Sequence, residues 1–476
     1  MKRLLLVAPL ALAVLSSASQ AVLFSGCSGG GGGTGAGAGG GTGGGGGGGT
    51  LEPFTIYELD PATRGIDYLA AAFDPAQRRV GVVYYSPAGT QTMAGHDDFF
   101  IKYVEWQDGV TKPIETIRTV QRKVGLAIAF DPSSGEPTVS YVGGAPGFIQ
   151  GMSIYWFQSD AVVNRRSRGT WTETVIATTG GDVSCGNPVS DRGLLVGLWP
   201  ALLYDPTGLL YYAYRDGHDA QFPQQDWNGS DVEIFEGGTG KCVSAGGNNK
   251  QAWGGHIGLA MGNGQPAMVY DQMFGTSDQN GSNVVFQERN AAGSWGSPQV
   301  LLNISNTQSG PSLAYSPDVV TTDADPGEGF GIAVVDRATN ELSYIHRPVG
   351  STVWTTPDPV FGSGSGGWYP SLAMDPAFGE PAIAFYVCSP RSSVNETNCI
   401  NDEDELRIKQ RVAGNWREVV VDKEGGYLPK LGFFVDGSGP GASSKRVVVY
   451  RQPRSIDRTS GLPVENEGML KLAVER

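Results

Sequence analysis

The sequence has few of the residues on which many metalloenzymes and nucleic-acid-binding proteins depend. It contains four His and five Cys in 476 residues, which leaves little room for a zinc or haem centre, and we expect no bound cofactor. Lys and Arg number 34 against 48 Asp and Glu, a net charge of −14, and no basic stripe offsets this acidity. An acidic surface repels the phosphate backbone, so we expect no nucleic acid partner.

The short motifs of common hydrolases are also missing. There is no Gly-x-Ser-x-Gly elbow between a strand and a helix, no metal-type pair of histidines and no phosphate-binding loop, which argues against a familiar hydrolase. Charged residues make up only 17%, whereas Gly numbers 71 and Pro 29. Such a turn-rich composition is typical of β proteins rather than of helical bundles or coiled coils.

The apolar run at the N-terminus is too short to cross a membrane. Residues 4–15 are apolar and follow Lys2 and Arg3, the arrangement of a signal peptide. Ordinary secretion, with cleavage near residues 18–21, is one outcome of this pattern.

The small residues directly before Cys27 resemble the lipobox of bacterial lipoproteins. Phe24 departs from that family, which usually has Leu at this position. The resemblance implies cleavage before Cys27 and lipid on its thiol and amine. It also implies that Ser28, in the next position, permits onward sorting to an outer membrane.

The next 23 residues are almost all glycine and cannot bury enough apolar area to fold, so they predict a flexible tether. We therefore divide the chain into a signal peptide (1–26), a lipidated Cys27 with its linker (27–50) and a folded part (51–476). We expect an exported monomer, lipid-anchored to a bacterial membrane, either an outer membrane or the cell surface.

A short pattern recurs seven times in the folded part. Two or three apolar residues precede a turn, often Asp-Pro, and the copies begin at residues 71, 128, 202, 259, 313, 372 and 431, a mean spacing of 60 over six steps. Each copy continues with further β-rich runs. The fourth run within a copy begins at a turn that ends in Trp. Four short strands per repeat are typical of a propeller blade, which predicts an all-β, seven-bladed β-propeller.

The two ends of the chain fit this prediction. The seventh copy has only three strands, and residues 54–59 form an orphan strand before the first copy. Pairing the orphan strand with the last blade would close the ring and remove two exposed edges. The alternatives are an open stack of sheets, or two sandwich domains divided near residue 250.

Once Cys27 carries lipid, the remaining cysteines form an even set, as expected of an exported protein. Local pairing predicts disulfides Cys185–Cys242 and Cys388–Cys399. Four cysteines allow three pairings, so the other two stay open.

The candidate ligand-binding residues come from the ends of second strands and the loops that follow, which share one face of a propeller. The charged ones are Arg215, Asp216, His218, Asp271, Asp336, Arg337 and Arg451. Arg beside Asp and His could bind an anionic or sugar ligand, and a solvated rim of loop charges is the alternative.

Aromatic residues outside the Trp turns could form stacking platforms for sugar rings or peptide side chains. They are Tyr141, Phe148, Phe222, Trp227, Trp368 and Tyr369, of which Trp227 and Trp368 are the two selected for testing. We expect the Trp residues of the turns (Trp171, Trp295, Trp354 and Trp416) to pack between blades, and the Asp-Pro aspartates to be turn residues on the opposite face.

Two acidic runs, residues 323–328 and 401–405, raise the question of calcium. Neither matches the spacing of an EF-hand loop, and solvated charge explains both runs better. We therefore predict no metal site.

The repeats resemble the sialidase- and lectin-type propellers of exported bacterial proteins over residues 51–476. Sialidases carry an Asp-box, Ser-x-Asp-x-Gly-x-x-Trp, of which only the Gly-x-Trp end is present here. Their three-arginine carboxylate clamp cannot be placed on this sequence, so the resemblance implies the architecture and leaves the activity open.

Two functions follow. The first is a surface-anchored binding or scaffold protein for a glycan, a peptide or an envelope protein, with no catalytic residues. The second is a glycan-processing enzyme, a glycosidase or lyase, on the same scaffold.

Overall fold

The computed structural model describes residues 53–476 with gaps. Outside the description lie residues 1–52, 93–96, 122, 124, 144–147, 150–151, 154–159, 179–195, 217–229, 245–250, 275–281, 305–309, 318–327, 337–338, 340, 363–365, 388–404, 424, 438–442, 453–455, 458–461 and 464–467. In the described part, all regular structure is β-strand and no residue is helical. No helix there is long and apolar enough to span a membrane.

The first three blades follow one another along the chain after an isolated first strand. These strands are β1 (Phe54–Glu58); β2 (Leu69–Asp74), β3 (Arg79–Pro87), β4 (Phe99–Gln107), β5 (Val110–Thr111) and β6 (Glu115–Val120); β7 (Leu126–Phe130), β8 (Pro137–Gly143), β9 (Phe148–Ile149), β10 (Met152–Ser153), β11 (Asp160–Ser167) and β12 (Thr170–Ala177); β13 (Val196–Tyr204), β14 (Leu210–Asp216), β15 (Asp231–Glu236) and β16 (Thr239–Ser244).

Blades four to seven repeat the same order. Their strands are β17 (Gln251–Gly262), β18 (Gln265–Phe274), β19 (Ser282–Glu288) and β20 (Gln299–Ile304); β21 (Ser312–Ser316), β22 (Gly329–Asp336), β23 (Glu341–Arg347) and β24 (Asp358–Phe361); β25 (Trp368–Met374), β26 (Pro381–Val387), β27 (Glu405–Val412) and β28 (Asn415–Asp422); β29 (Tyr427–Asp436), β30 (Ser443–Gln452), β31 (Ile456–Asp457), β32 (Leu462–Pro463) and β33 (Met469–Glu475). Two short hairpins, β9–β10 and β31–β32, stand apart from the blades.

Seven antiparallel sheets form a closed ring. The first strand of each blade contacts the first strand of the next, and the cycle returns from β29 to β2. These seven strands are therefore the innermost ones around a central axis. The prediction of a seven-bladed all-β propeller is confirmed, and the open-stack and two-sandwich alternatives are wrong.

The chain closes the ring by pairing its two ends in one blade. β1 runs antiparallel to β33, from Phe54 opposite Glu475 to Glu58 opposite Lys471, and the seventh sheet has the order β1-β33-β30-β29. The orphan strand thus supplies the missing outer strand, as the sequence predicts. Asp60, just after β1, accepts a hydrogen bond from the Tyr84 hydroxyl of blade one at 2.7 Å.

Tryptophan side chains join neighbouring blades near their outer strands. Trp171, Trp354 and Trp416 each pack edge-on against an aromatic ring of the preceding blade. Their indole N–H groups donate to Glu115, Gln299 and Asp358 at the start of that blade's fourth strand, at 2.7, 3.3 and 2.8 Å. Trp295 packs in the cluster between blades three and four. The prediction that these residues pack between blades is confirmed.

Near the axis the blades are separated by glycine. A Cβ atom at Gly432 would lie 2.3 Å from the Phe73 ring of the next blade, and one at Gly262 would lie 2.1 Å from Phe330. Both distances are too short for any side chain, so glycine is required where the inner strands converge.

The two faces of the propeller have different chemistry. The Asp-Pro turns join first to second strands on what we call the lower face. There Asp131 accepts from the Ser133 N–H at 2.8 Å, and Asp205 accepts from the Thr207 and Leu209 N–H groups at 2.8 and 2.9 Å. These aspartates are turn residues, as predicted. The opposite, upper face carries the ends of second strands and the connections between blades.

Cys242 lies on β16 and is disulfide-bonded. It is the only cysteine among the described residues, so pairing with Cys185 and the Cys388–Cys399 bridge both remain predictions. Cys27 also lies outside the described residues.

Candidate ligand-binding site

The inner strands begin at the upper face with an irregular step. Strands β13, β17, β25 and β29 each shift register near their start. Trp199, His256, Tyr369 and Leu428, one at each step, have φ of 44°, 49°, 55° and 51°. Bulky residues rarely adopt left-handed backbone, which costs roughly 1–2 kcal/mol each, and such positions cluster at functional sites.

These four residues occupy equivalent positions, three residues before each repeat begins. The set of seven, which we call the mouth ring, is Tyr68, Gly125, Trp199, His256, Gly310, Tyr369 and Leu428. Gly125 and Gly310 share the left-handed backbone, with φ of 66° and 73°. The ring thus consists of aromatic side chains, one leucine and two glycine gaps.

Four consecutive members of the mouth ring, Gly125, Trp199, His256 and Gly310, lie close to one another around the axis. The Trp199 and His256 rings lie 5.6 Å apart between centroids. A Cβ atom at Gly310 would lie 2.5 Å from the His256 Cβ, and one at Gly125 would lie 2.6 Å from Pro200, next to Trp199. The ring is therefore continuous from blade two to blade five.

A buried polar cluster supports the ring in blades three and four. Arg215, at the end of β14, is 0% exposed, and its guanidinium carbon lies 4.9 Å from the centroid of the Trp199 ring. Asp271, at the corresponding place in β18, is also 0% exposed. It receives a hydrogen bond of 3.0 Å between its Oδ2 and Nδ1 of His256.

Strand register explains why these side chains meet. Arg215 pairs with Leu198, the neighbour of Trp199, and Asp271 pairs with Gly255, the neighbour of His256. The ends of second strands therefore lie beside the irregular steps of first strands. The same polar layer continues outward through Gln272, which accepts a hydrogen bond from the Asn283 amide at 2.8 Å.

The electrostatics of the cluster favour recognition of a polar group. Buried charges are tolerated where they have partners, and a cation over an aromatic face is held more strongly when water is excluded. His256 is only partly covered, with 28% of its side chain exposed, and the buried Asp271 carboxylate fixes its orientation. The Trp199 ring beside the oriented His256 imidazole suits a ligand with both apolar faces and polar edges.

The structure brings together three of the charged residues predicted from the sequence. Arg215, Asp216 and Asp271 lie at the ends of second strands in adjacent blades, as expected. Asp216 is buried and pairs with Asp231 across the sheet. The idea that these residues form only a solvated rim is wrong, because all three are buried.

The other predicted charges lie in different blades. Asp336 ends β22 in blade five, opposite Glu341. Arg451 lies near the end of β30 in blade seven, 3.9 Å from Asp67 and 5.8 Å from the Tyr427 ring centroid. His218, Trp227, Arg337 and Phe222 lie outside the described residues, and the side chain of Phe148 is not described.

Two of the predicted aromatic platforms are wrong. Trp368 is 1% exposed and packs on Val335 and Tyr386 inside blades five and six, so its face cannot stack on a ligand. Tyr141 is buried in β8. Tyr369, by contrast, is half-buried in the mouth ring, one residue from Trp368.

Sequence reasoning missed Trp199, His256 and Tyr68. A signal was available for Trp199: Gly-x-aromatic-Pro stands before the repeat in Gly197–Pro200, where Trp199 is the aromatic, and again at 367–370. No such signal marks His256, which is followed by Ile257.

No group of three His, Cys, Asp or Glu residues in the described part of the chain is arranged to hold a metal ion. Most of the two acidic runs lies outside that part. Their last residues, Glu328 and Glu405, form ion pairs with Arg411 and Arg407.

Comparisons with known proteins find similarity to solved structures only. No protein-family model matches it, and no curated protein matches it. Solved structures do. An α-L-arabinofuranosidase of Fusarium graminearum is 12% identical with a TM-score of 0.43, covering 71% of this chain and 92% of its own.

Two further structures extend the comparison. The polysaccharide lyase Uly1 is 9% identical with a TM-score of 0.46, covering 88% of this chain and 90% of its own. The NanB sialidase of Streptococcus pneumoniae is 10% identical with a TM-score of 0.42, covering 72% and 69%. Likenesses this distant say nothing about the activity of this chain.

Proposed function

We propose that this protein is an exported binding module that takes a glycan at its mouth ring. The observation that carries the proposal is the continuous segment of the mouth ring formed by Trp199, His256 and Gly310, which contacts the buried Arg215 and Asp271. Aromatic faces next to glycine gaps accommodate flat, partly apolar rings such as sugars. The His256 side chain, which is 28% exposed and oriented by Asp271, can bind hydroxyl or carboxylate groups at the ring edge.

The test is binding of the full mature protein to an array of glycans and polysaccharides. We expect saturable binding that falls at least tenfold in Trp199→Ala and Tyr369→Ala, since stacking is lost. Phe378→Ala is the matched control, because Phe378 is an exposed aromatic on the lower face and should change nothing. An array without binding, or equal binding by all three variants, would contradict the proposal; peptides and envelope proteins would then be the ligands to test.

We propose further that lipid on Cys27 anchors the module to a bacterial membrane, with residues 28–50 as tether. The support is the lipobox-like segment before Cys27. Cys27→Ser should abolish labelling by a fatty-acid analogue and move the protein from the membrane fraction to the medium or periplasm. Labelling that survives the substitution would rule out this anchor.

The pair of His256 and Asp271 favours one alternative, a glycan-processing enzyme. An imidazole oriented by a buried carboxylate can act as a general acid or base. If product appears in the array wells, loss of product in His256→Ala with retained binding would establish the enzyme. Binding without product in any well would leave the binding module.

A further inference from the structure

A second ring of equivalent residues lies below the mouth ring on the same inner strands. It occupies the position just before each repeat begins, and we call it the channel ring. Its members are Ala70, Ala127, Ala201, Gly258, Ser312, Ser371 and Lys430. Six members are small and uncharged, and the seventh is a lysine. Each channel-ring residue stands two positions after a mouth-ring residue, which places the channel ring at most about 7 Å below the mouth ring.

The two serines show where side chains at this level reach. The Ser312 hydroxyl accepts from the Leu372 N–H, and the Ser371 hydroxyl accepts from the Leu431 N–H, each at 2.9 Å. In both cases the acceptor reaches the inner strand of the next blade. The Lys430 side chain, at the same position in blade seven, is therefore directed along the axial edge towards blade one.

The same hydrogen bonds show that the first residue of each repeat turns its N–H to the axis. Three residues later the backbone faces the other way, since the Asp131 and Asp375 N–H groups bond to the second strand at 3.0 and 2.8 Å. By this alternation the N–H groups of Ala71, Ile128, Leu202, Leu259 and Leu313 also face the axis. Each of these N–H groups faces the channel-ring residue of the preceding blade, which is Lys, Ala or Gly. None of these residues has a side chain that can accept a hydrogen bond.

Lys430 brings a positive charge to this level without a counter-charge. Burial alone lowers the pKa of its ammonium, and no neighbouring charge contributes. No hydrogen bond or ion pair joins it to the residues that the structure describes. Lys430 is half-buried, and an ammonium or backbone N–H group that is withdrawn from water requires an acceptor.

We propose that the axial channel binds a carboxylate between the Lys430 ammonium and the inward-facing N–H groups of the inner strands. The carboxylate is either a free small ion or the acidic end of a ligand that enters through the mouth ring. This site is separate from the aromatic mouth, and binding of the free ion does not depend on the proposed glycan.

Titration of the full mature protein with sodium acetate tests the free ion, with acetamide as the neutral analogue. We expect acetate, and not acetamide, to raise the Tm of the wild type, and binding measured by calorimetry to fall at least tenfold in Lys430→Met. Lys430→Arg should retain the response. The control Lys112→Met changes an exposed lysine paired with Glu105 on an outer strand and should leave the response intact.

The second arm uses glucuronic acid, a sugar that carries a carboxylate, compared with its primary amide glucuronamide. A preference for the acid that disappears in Lys430→Met, without any response to acetate, would assign the carboxylate to the ligand. Equal responses of the wild type and Lys430→Met in both arms would overturn the proposal. Trp199→Ala should leave the acetate response unchanged, so failure of the mouth site and failure of the channel site can be told apart.

Discussion

The left-handed backbone of the mouth ring has opposite consequences for its aromatic and glycine members. At Trp199 and His256 a bulky side chain sits on left-handed backbone despite the conformational cost. At Gly310 the absence of a side chain leaves room for the imidazole of His256. Position within the ring, rather than residue type alone, therefore decides which side chain is tolerated.

Gly310→Ala tests this relation directly. The new Cβ would lie 2.5 Å from the Cβ of His256 and sit at a φ of 73°, so His256 must move. We expect a loss of about 2–4 kcal/mol in the free energy of unfolding, from backbone strain and overpacking together, and weaker ligand binding.

The matched control for this substitution is Gly350→Ala. Gly350 has a φ of 77° and no heavy atom within 4 Å of the new Cβ, so its loss reports backbone strain alone, about 1–2 kcal/mol. Urea unfolding of both variants gives the difference. If both variants lost the same free energy of unfolding, the movement of His256 would contribute nothing to the loss.

At the scale of elements, the blades are joined by polar contacts as well as by apolar packing. Asp60 lies just after β1. Burial by itself would raise the pKa of its carboxyl. Hydrogen bonds from Tyr84 and Thr63 and the charge of Lys102 outweigh burial and lower that pKa below 3.8. The ionised carboxylate therefore stabilises the junction between blades seven and one.

Tyr84→Phe should reveal this contribution through its pH dependence. A carboxyl whose pKa is lowered by folding stabilises the protein above its ordinary pKa, and this stabilisation is lost as the pH falls through the folded-state value. We expect Tyr84→Phe to cost about 1–2 kcal/mol at pH 7, with the difference from wild type narrowing below pH 4. Tyr57→Phe, a nearby tyrosine that packs on Trp106, is the control in urea unfolding. A difference that stays constant with pH would contradict the role of Asp60.

The sequence predicts the elements better than it predicts the site. The spacing of repeats and the Trp turns give the blades and their contacts, because both depend on local turn chemistry and alternation. Trp368 and Tyr369 are adjacent aromatics, yet one is buried and the other lies in the mouth ring. A register shift in β25 directs the two side chains to different places, and neither residue type requires that shift.

The polar residues of the site were likewise predicted only in part. Arg215 and Asp271 were predictable because a second-strand end is defined by its repeat. His256 depends on a left-handed step that four different residue types adopt, so no residue pattern marks it. Its pairing with Asp271 appears only when two strands are placed side by side.

At the scale of the whole molecule, β1 closes the ring. It is the first strand in the sequence and the outermost strand of the seventh blade. Phe54 is 3% exposed and packs among side chains of blades six and seven. Without β1, the outer edge of β33 would be unpaired and available to other chains.

Deleting residues 53–58 should therefore lower the Tm sharply and produce oligomers, since burial of one Phe alone contributes about 3–5 kcal/mol. Thermal unfolding and light scattering after gel filtration measure both effects. Deleting residues 30–49 instead should leave the Tm unchanged. A monomer of unchanged Tm after loss of residues 53–58 would contradict the importance of closure.

The direction of β1 also has a mechanical consequence. Phe54 begins this outer strand at the lower face, and the backbone of Pro53 accepts a hydrogen bond from Arg476 at 3.1 Å. If a ligand pulled on the upper face while the chain before residue 53 was held, the force would run along β1. The ladder from Phe54–Glu475 to Glu58–Lys471 would then be loaded in shear, with its hydrogen bonds sharing the tension rather than opening one by one. The strand that completes the ring is thus also placed to resist pulling.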